Sequence, residues 1–479
     1  MMYQKVLLTV GGIVLMASCQ SEKKIPQLPN GIWEKRGYGQ LMEVTSDEIR
    51  FYETTQATCL PASTIPLSEF GEVGDLVSVT PDSLVVLSGI NRFVYTKVTQ
   101  VPDFCHGNEA RAKNPLYNFE VFWNTFREQY AFFKERHIDW DKVYRDTKAK
   151  ITDNTTDAEL YALLHQIVTD FGDDHITLTV PEAVIAESQK LTPQPAAVST
   201  EPDLAPVDKK KLRDAILKRY IQNPKSAGRD LYGKGLVNWG VTAENIGYLQ
   251  VNWMIFYTDY HIADSLTGEA YAGAYLEKMG ANPNRHKDDV AIIRKLMKEV
   301  IADFEGTKGV LIDIRMNGGG FDAVGLEILE HFTPSKTLAF SKKAKYGKAF
   351  TPAQKVYLES SESVYKGPVA LLTSPTTASA AEIMTLGSMV LPQFIRIGSH
   401  TEGIFSDMQD KQLPNGWSFS LSSEVYENTK GQCFENTGIP PTIQMPYPDS
   451  EAQFYQKWNA SLPKGDATID KAITVLLQQ

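Results

Sequence analysis

Cysteine is scarce in this chain, four among 479 residues, and neither a CxxC pair nor a His-rich stretch offers the ligand spacing of a metal site. Basic charge is short as well. The 48 Lys and Arg are outnumbered by 58 Asp and Glu, a net charge of -10, and no basic stripe interrupts that balance. This excludes a nucleic-acid partner, which needs clustered cations to displace phosphate counterions. Long apolar runs are missing too. The stretch Val6 to Met16 falls short of the about 20 residues a membrane-spanning helix requires. What is present is ordinary globular material, 42% hydrophobic and 22% charged, in a chain long enough to predict two or three domains. No internal repeat is visible.

Residues 1–19 read as a secretion signal: Lys5, the short apolar run, then Ala17, Ser18 and Cys19. Small residues directly before a cysteine resemble the bacterial lipobox, with Met16 where Leu is usual. A lipid anchor at Cys19 is therefore expected, tying the protein to a membrane in the cell envelope, facing a periplasm or on the cell surface. Residues 20–29 would form the tether. The alternative is a plain secretory signal in which Cys19 is a bystander. Export into an oxidising compartment makes Cys59 and Cys105 a plausible disulfide. The alternative leaves these two and Cys433 as unpaired thiols.

Residues 30–110 alternate apolar and polar positions between Gly, Pro, Asp and Ser clusters, the pattern of a small all-β unit. Residues 115–185 change period. Phe119, Phe122, Trp123, Phe126, Tyr130 and Phe133 recur at helical spacing, with Asn118 read as the cap. A second helix starts at the capping box Thr156-x-x-Glu159 and stops at Gly172. Residues 186–240 read as a linker or connecting segment. Residues 241–447 then alternate strand and helix, which implies right-handed crossovers and a largely parallel or mixed sheet, and 448–479 form a helical extension.

Four short segments carry chemistry. Asp313-Ile314-Arg315-Met316-Asn317-Gly318-Gly319-Gly320 ends a buried strand. Its glycines let backbone N–H groups approach a ligand and stabilise an oxyanion, although a purely structural tight turn would look the same. Ser379-Ala380-Ala381-Glu382 opens a helix where free N–H groups could hold developing negative charge, or serves merely as a capping box. His175 follows a helix end in Gly172-Asp173-Asp174-His175, and a neutral imidazole is the base a serine hydroxyl needs near pH 7. Glu435 leads into the rigid Gly438-Ile439-Pro440-Pro441 turn.

Together these segments resemble the C-terminal processing (tail-specific) protease family, and more closely its branch containing the tricorn core protease, over about residues 118–180 and 245–445. The resemblance implies an α/β fold with a crotonase-like (ClpP/crotonase) mixed-sheet core, preceded by a helical subdomain and a small N-terminal all-β domain. It implies a serine-type peptidase acting on peptide or protein substrates, with no metal and no organic cofactor. It also assigns roles: Ser379 as nucleophile, His175 as base, Glu435 as its acidic partner, and an oxyanion hole from Gly318, Gly319 and Ala380. The Ser-Lys dyad of tail-specific proteases is excluded, since Ile404 stands where that lysine is expected. Asp174 replaces a serine found beside the histidine in the tricorn-like branch, so His175 is oriented either by Asp174 or by Glu435. The alternative function is a non-catalytic peptide- or lipid-binding surface lipoprotein on the same fold.

Overall fold

A computed structural model describes residues 27–107, 109–191 and 204–479. The signal segment and Cys19 lie outside the described residues. No helix among those described is long and apolar enough to cross a membrane.

Short amphipathic strands from Gly31–Lys35 to Asn91–Val98 build a seven-stranded antiparallel sheet at the N-terminal end. Trp33, Met42, Ile49, Leu84, Val86 and Tyr95 pack together on one face. Cys59 and Cys105 are joined as a disulfide, closing 46 residues of chain.

The second sheet positions the site. Its seven strands run in the order Ile443–Gln444, Phe394–Gly398, Val369–Thr373, Val310–Asp313, Gly247–Val251, Gly233–Thr242 and Ile221–Asp230. The first five are parallel and the last two antiparallel. Alternate residues of these strands enter different cores, as the strand period of two requires. Leu249, Val251, Ile312 and Leu371 meet Ile293, Met297, Val324, Ile328 and Ile383 from helices on one side. Tyr248, Leu311, Ala370 and Leu372 meet Leu212, Ile216, Phe454, Ile469 and Ile473 on the other.

An aromatic core stands beside this sheet. The helices Pro115–Gln129, Trp140–Lys148 and Asp157–Phe171 bury Phe122, Phe126, Trp140 and Phe171 against Phe419 of the strand Ser418–Ser422. The capping box at Thr156 and Glu159 forms, and Gly172 ends the helix in the left-handed region. The cap of the first helix is Asn114, whose Oδ1 accepts the Tyr117 N–H at 2.8 Å ahead of Pro115. Asn118 is inside the helix, and its Nδ2 bonds the carbonyls of Ala112 and Asn114.

The stretch 186–240 is more than a connector. It carries part of the helix Glu182–Leu191, the helix Lys209–Tyr220 and the two antiparallel edge strands of the core sheet. Those strands hide from a periodicity reading because Pro224, Gly228, Lys225 and Arg229 interrupt the first of them, which is largely exposed at the sheet edge.

Candidate active site

The strands Val310–Asp313 and Val369–Thr373 are neighbours in register, so the turns leaving their carboxyl ends lie side by side. Hydrogen bonds lock one turn to the other. The Arg315 carbonyl accepts the hydroxyls of Ser374 and Thr376, both at 2.7 Å. The Ile314 carbonyl accepts Thr377 Oγ1 at 3.1 Å, and the Asn317 carbonyl accepts the Ala378 N–H at 3.1 Å. The Arg315 side chain is fully buried among Asp313, Asp466 and Tyr447, which fixes the whole turn to the C-terminal helices.

These constraints deliver Ser379 at the start of the helix Ala380–Ser388 with φ 53° and ψ -124°. A non-glycine residue there costs about 1–3 kcal/mol, so the strained turn is maintained by its surroundings. The capping box does not form: the Ser379 side chain makes no cap hydrogen bond. Glu382 accepts the N–H groups of Gly403 and Ile404, each at 2.8 Å. Ile404, at the position expected for a lysine, is buried.

The glycine turn lies against the serine. A Cβ added at Gly319 would sit 2.7 Å from Ser379 Cβ, in a backbone already at φ +107°. The Ala380 and Gly318 N–H groups meet no acceptor among the described residues. The Gly319 N–H is taken by Asn317 Oδ1 at 2.9 Å, and the turn reaches the neighbouring cavity at Gly320.

His175 comes from a different segment. Asp173 Oδ1 accepts its backbone N–H at 3.0 Å, and Ser420 Oγ donates to its carbonyl at 2.7 Å. Burial lowers the imidazole pKa below its usual 6.5, opposed by Asp173, Asp407, the Ser406 backbone and Asp174. Its Nδ1 is buried without a hydrogen-bond partner among the described residues. His175 and Ser379 line one cavity of about 780 Å³, and no hydrogen bond joins them among the described residues.

The comparisons give this geometry its context. The Peptidase family S41 model matches residues 284–445, which hold Ser379 and Glu435. The Tricorn protease C1 domain model matches residues 111–169, the helical region that leads to His175. These matches support a serine-type peptidase of the tail-specific, tricorn-like kind, with its S41 domain at residues 284–445. A candidate peptidase from Parabacteroides merdae ATCC 43184 is similar in fold, with TM-score 0.55 and 22% identity over 76% of this chain and 97% of that one. Mature CPAF is similar at TM-score 0.50 and 10% identity, over 76% of this chain and 98% of that one. No curated protein matches the sequence.

The acids of this peptidase sit otherwise than their sequence positions suggested. Asp174 is exposed, and with burial it pushes the Glu402 carboxyl up to about 8. Glu435 is buried, with Arg136 Nη2 at 3.2 Å from Oε1 and the Phe405 N–H donating to Oε2 at 2.9 Å. Neither carboxylate hydrogen-bonds the imidazole. Two residues escaped sequence reading. Asp173 holds the histidine turn and also accepts Tyr130 OH at 3.0 Å, while Arg136 Nε lies 3.6 Å from Asp173 Oδ2. The signal for Asp173 was in the sequence, an Asp two residues before the His, where its side chain can accept that backbone N–H.

The N-terminal sheet closes the cavity from the opposite side. Lys35, Tyr38, Glu53 and Asn91 contribute to its wall together with Asp407, Lys411 and Glu424 of the core. Contacts across the boundary are polar: Tyr38 with Glu424, Glu53 with Lys411, and Asn91 Nδ2 donating to Asp407 Oδ2 at 2.9 Å. No group of three His, Cys, Asp or Glu side chains among the described residues is arranged to hold a metal ion.

Proposed function

We propose that this peptidase cleaves peptide bonds through an acyl-enzyme, with Ser379 as nucleophile and His175 as general base, and that it works in the cell envelope on a lipid anchor at Cys19. The observation that carries the catalytic reading is the shared cavity: a strained serine at a helix start and a buried, neutral-favouring histidine open onto the same 780 Å³ space.

His175 accepts the Ser379 proton as the hydroxyl attacks the substrate carbonyl. The two side chains come into hydrogen-bond reach when substrate fills the cavity, because hydrogen bonds of this kind tighten in the Michaelis complex. Negative charge then develops on the carbonyl oxygen beside Ala380 and Gly318, whose N–H groups are free to receive it. Each such donor lowers the barrier by about 3 kcal/mol. Gly319 joins them once its N–H leaves Asn317. The protonated imidazole passes its proton to the leaving amine, and water releases the acyl group by the same route in reverse.

Glu435 is a positioning residue in this scheme. It grips the Phe405 N–H, and the next residue, Ser406, presents its backbone to the imidazole. Asp174 lies outside the relay.

Labelling of the intact protein by a fluorophosphonate tests the reading. The parent enzyme is expected to label, Ser379→Ala to lose labelling entirely, and His175→Ala to lose at least about a hundredfold in rate, as removal of a general base does. Labelling that persists in Ser379→Ala would remove the proposed nucleophile. For the anchor, Cys19→Ser should move the protein from the membrane fraction to the soluble one, and an unchanged distribution would discard the lipid.

A further inference from the structure

We propose that Lys35, on the first strand of the N-terminal sheet, is a specificity residue that binds a carboxylate of the substrate in the active-site cavity. This rests on Ser379 being the nucleophile, since it gives the cavity its meaning.

Lys35 belongs to the cavity wall that also holds Ser379 and His175. Its ammonium sits 3.5 Å from the centre of the Phe93 ring and 4.8 Å from that of Tyr38. These rings stand edge to face at 5.0 Å, so the cation is held by aromatic faces while its charge stays uncompensated. No carboxylate lies within ion-pairing distance of it among the described residues.

Apart from the exposed Asp410, the other carboxylates and ammonium groups of the wall are engaged. Glu53 pairs with Lys411, and Glu424 takes both Tyr38 and Lys342, the latter at 2.8 Å. Asp407 accepts Asn91 and lies 3.5 Å from Lys342. Asp322 accepts Tyr426 OH at 3.1 Å, and burial raises its pKa well above the usual carboxylate range. Among these groups Lys35 is the one with unspent charge, in a space that substrate must enter. A desolvated ammonium facing a peptide cleft favours an anion there, and rejects a neutral isostere that leaves it unpaired.

The charge on Lys35 is also tunable. Burial first, and then Lys411, lower its pKa to about 8, with Glu53, Glu424 and Asp407 opposing. The ammonium is therefore charged at neutral pH and loses its proton as the pH climbs past that value.

The test uses quenched peptides matched except for Glu or Gln at positions flanking the scissile bond, each made with a free and an amidated carboxyl terminus. The parent enzyme should cleave one acidic member at least about tenfold faster in kcat/KM than its neutral twin, a difference of the size one partly buried ion pair supplies. Lys35→Met, which keeps the apolar stem, should bring that ratio to about one in an enzyme that still labels with the fluorophosphonate. Lys35→Arg should keep the ratio, and keep it at a pH above 8 where the parent loses it. A preference that follows the Glu assigns the carboxylate to a side chain, and one that follows the free terminus assigns it to the chain end. A ratio near one in the parent, or one unmoved by Lys35→Met in an enzyme that still labels, overturns the proposal. Loss of labelling in the parent would instead overturn the nucleophile.

Discussion

Ser379 is held by neutral hydrogen bonds between two adjacent turns, whereas His175 is held beside a buried ionic cluster drawn from distant parts of the chain. On the serine side the carbonyls of Ile314, Arg315 and Asn317 are each anchored by a hydroxyl or N–H from residues 374–378. Each bond contributes about 1 kcal/mol and several act in parallel, so the turn tolerates the loss of any one. On the histidine side a single guanidinium, Arg136, faces both Asp173 and Glu435, and all three side chains are essentially buried. Removing the cation leaves both carboxyl groups with neutral donors only, Tyr130, Ser422 and the His175 N–H on Asp173 and the Phe405 N–H on Glu435, while the neutral lattice around the serine has no single member of comparable weight. Ser379 is thereby fixed to the core sheet, and His175 is fixed to a cluster whose charge state depends on pH.

The largest expected effect follows from that contrast. Arg136→Met should lower unfolding stability by about 3–5 kcal/mol, the cost of leaving a buried acid uncompensated, read from urea denaturation, with a parallel fall in turnover. A loss below about 1 kcal/mol, the range of an exposed ion pair, would erase the distinction between the two halves of the site.

A second prediction concerns protons. Burial, with Asp173 nearby, pushes the Glu435 carboxyl from its ordinary 4.5 up to about 8. An acid whose pKa rises on folding keeps its proton in the native state, so its contribution is complete below 4.5 and declines as the pH rises towards 8. The decline is at most about 1.4 kcal/mol per pH unit for one proton. Glu435→Gln mimics the protonated form and should flatten the decline, seen as a melting temperature that varies less between mildly acidic and mildly alkaline buffer. A slope identical to the parent's would show that Glu435 is ionised throughout.

The third prediction lies in kinetics. Because burial depresses the His175 pKa below 6.5, the neutral base is already present at that pH. The acid limb of kcat/KM on a neutral peptide should therefore fall below pH 6.5, and a limb centred above it would mean that the carboxylates around His175 outweigh its desolvation.

The serine half was also the legible half. Its residues lie in two contiguous motifs, each at a strand end and each with a backbone task that glycine, serine and threonine announce locally. Ser379 and the glycine turn could therefore be named from short windows, and the departure at Ile404 could be read directly. The histidine half is non-local. Arg136 belongs to no motif, and its partners lie at Asp173 and Glu435, a separation that no periodicity spans. Sequence left Asp174 and Glu435 both open as the acid that orients His175, and in the turn after Gly172 Asp174 is exposed while Asp173 is buried. The same reasoning explains the fold. Apolar strands such as Val310–Asp313 are evident by composition, while the edge strand Ile221–Asp230, exposed and carrying a proline, gives no apolar signal. The wall built by the N-terminal sheet was invisible for a related reason, since Lys35, Asn91 and Glu53 look like ordinary polar surface residues until the core is placed against them.

The smallest effect is expected on the serine side, at Thr376. Its hydroxyl donates to the Arg315 carbonyl at 2.7 Å and lies 3.1 Å from Ser374 Oγ and 3.2 Å from Tyr455 OH. Thr376→Val keeps the shape and removes all three contacts. The Arg315 carbonyl still receives Ser374 Oγ at 2.7 Å, so no buried acceptor is orphaned, and the loss should be about 1 kcal/mol. Fluorophosphonate labelling of Ser379 should then remain within about twofold of the parent rate, since the strained turn keeps its other anchors at Ile314 and Asn317. A tenfold fall in labelling at unchanged fold would show that the bonds between the turns act as one unit. In that case the redundancy assigned to the serine half would be wrong, and both halves of the site would share the all-or-nothing character now confined to Arg136.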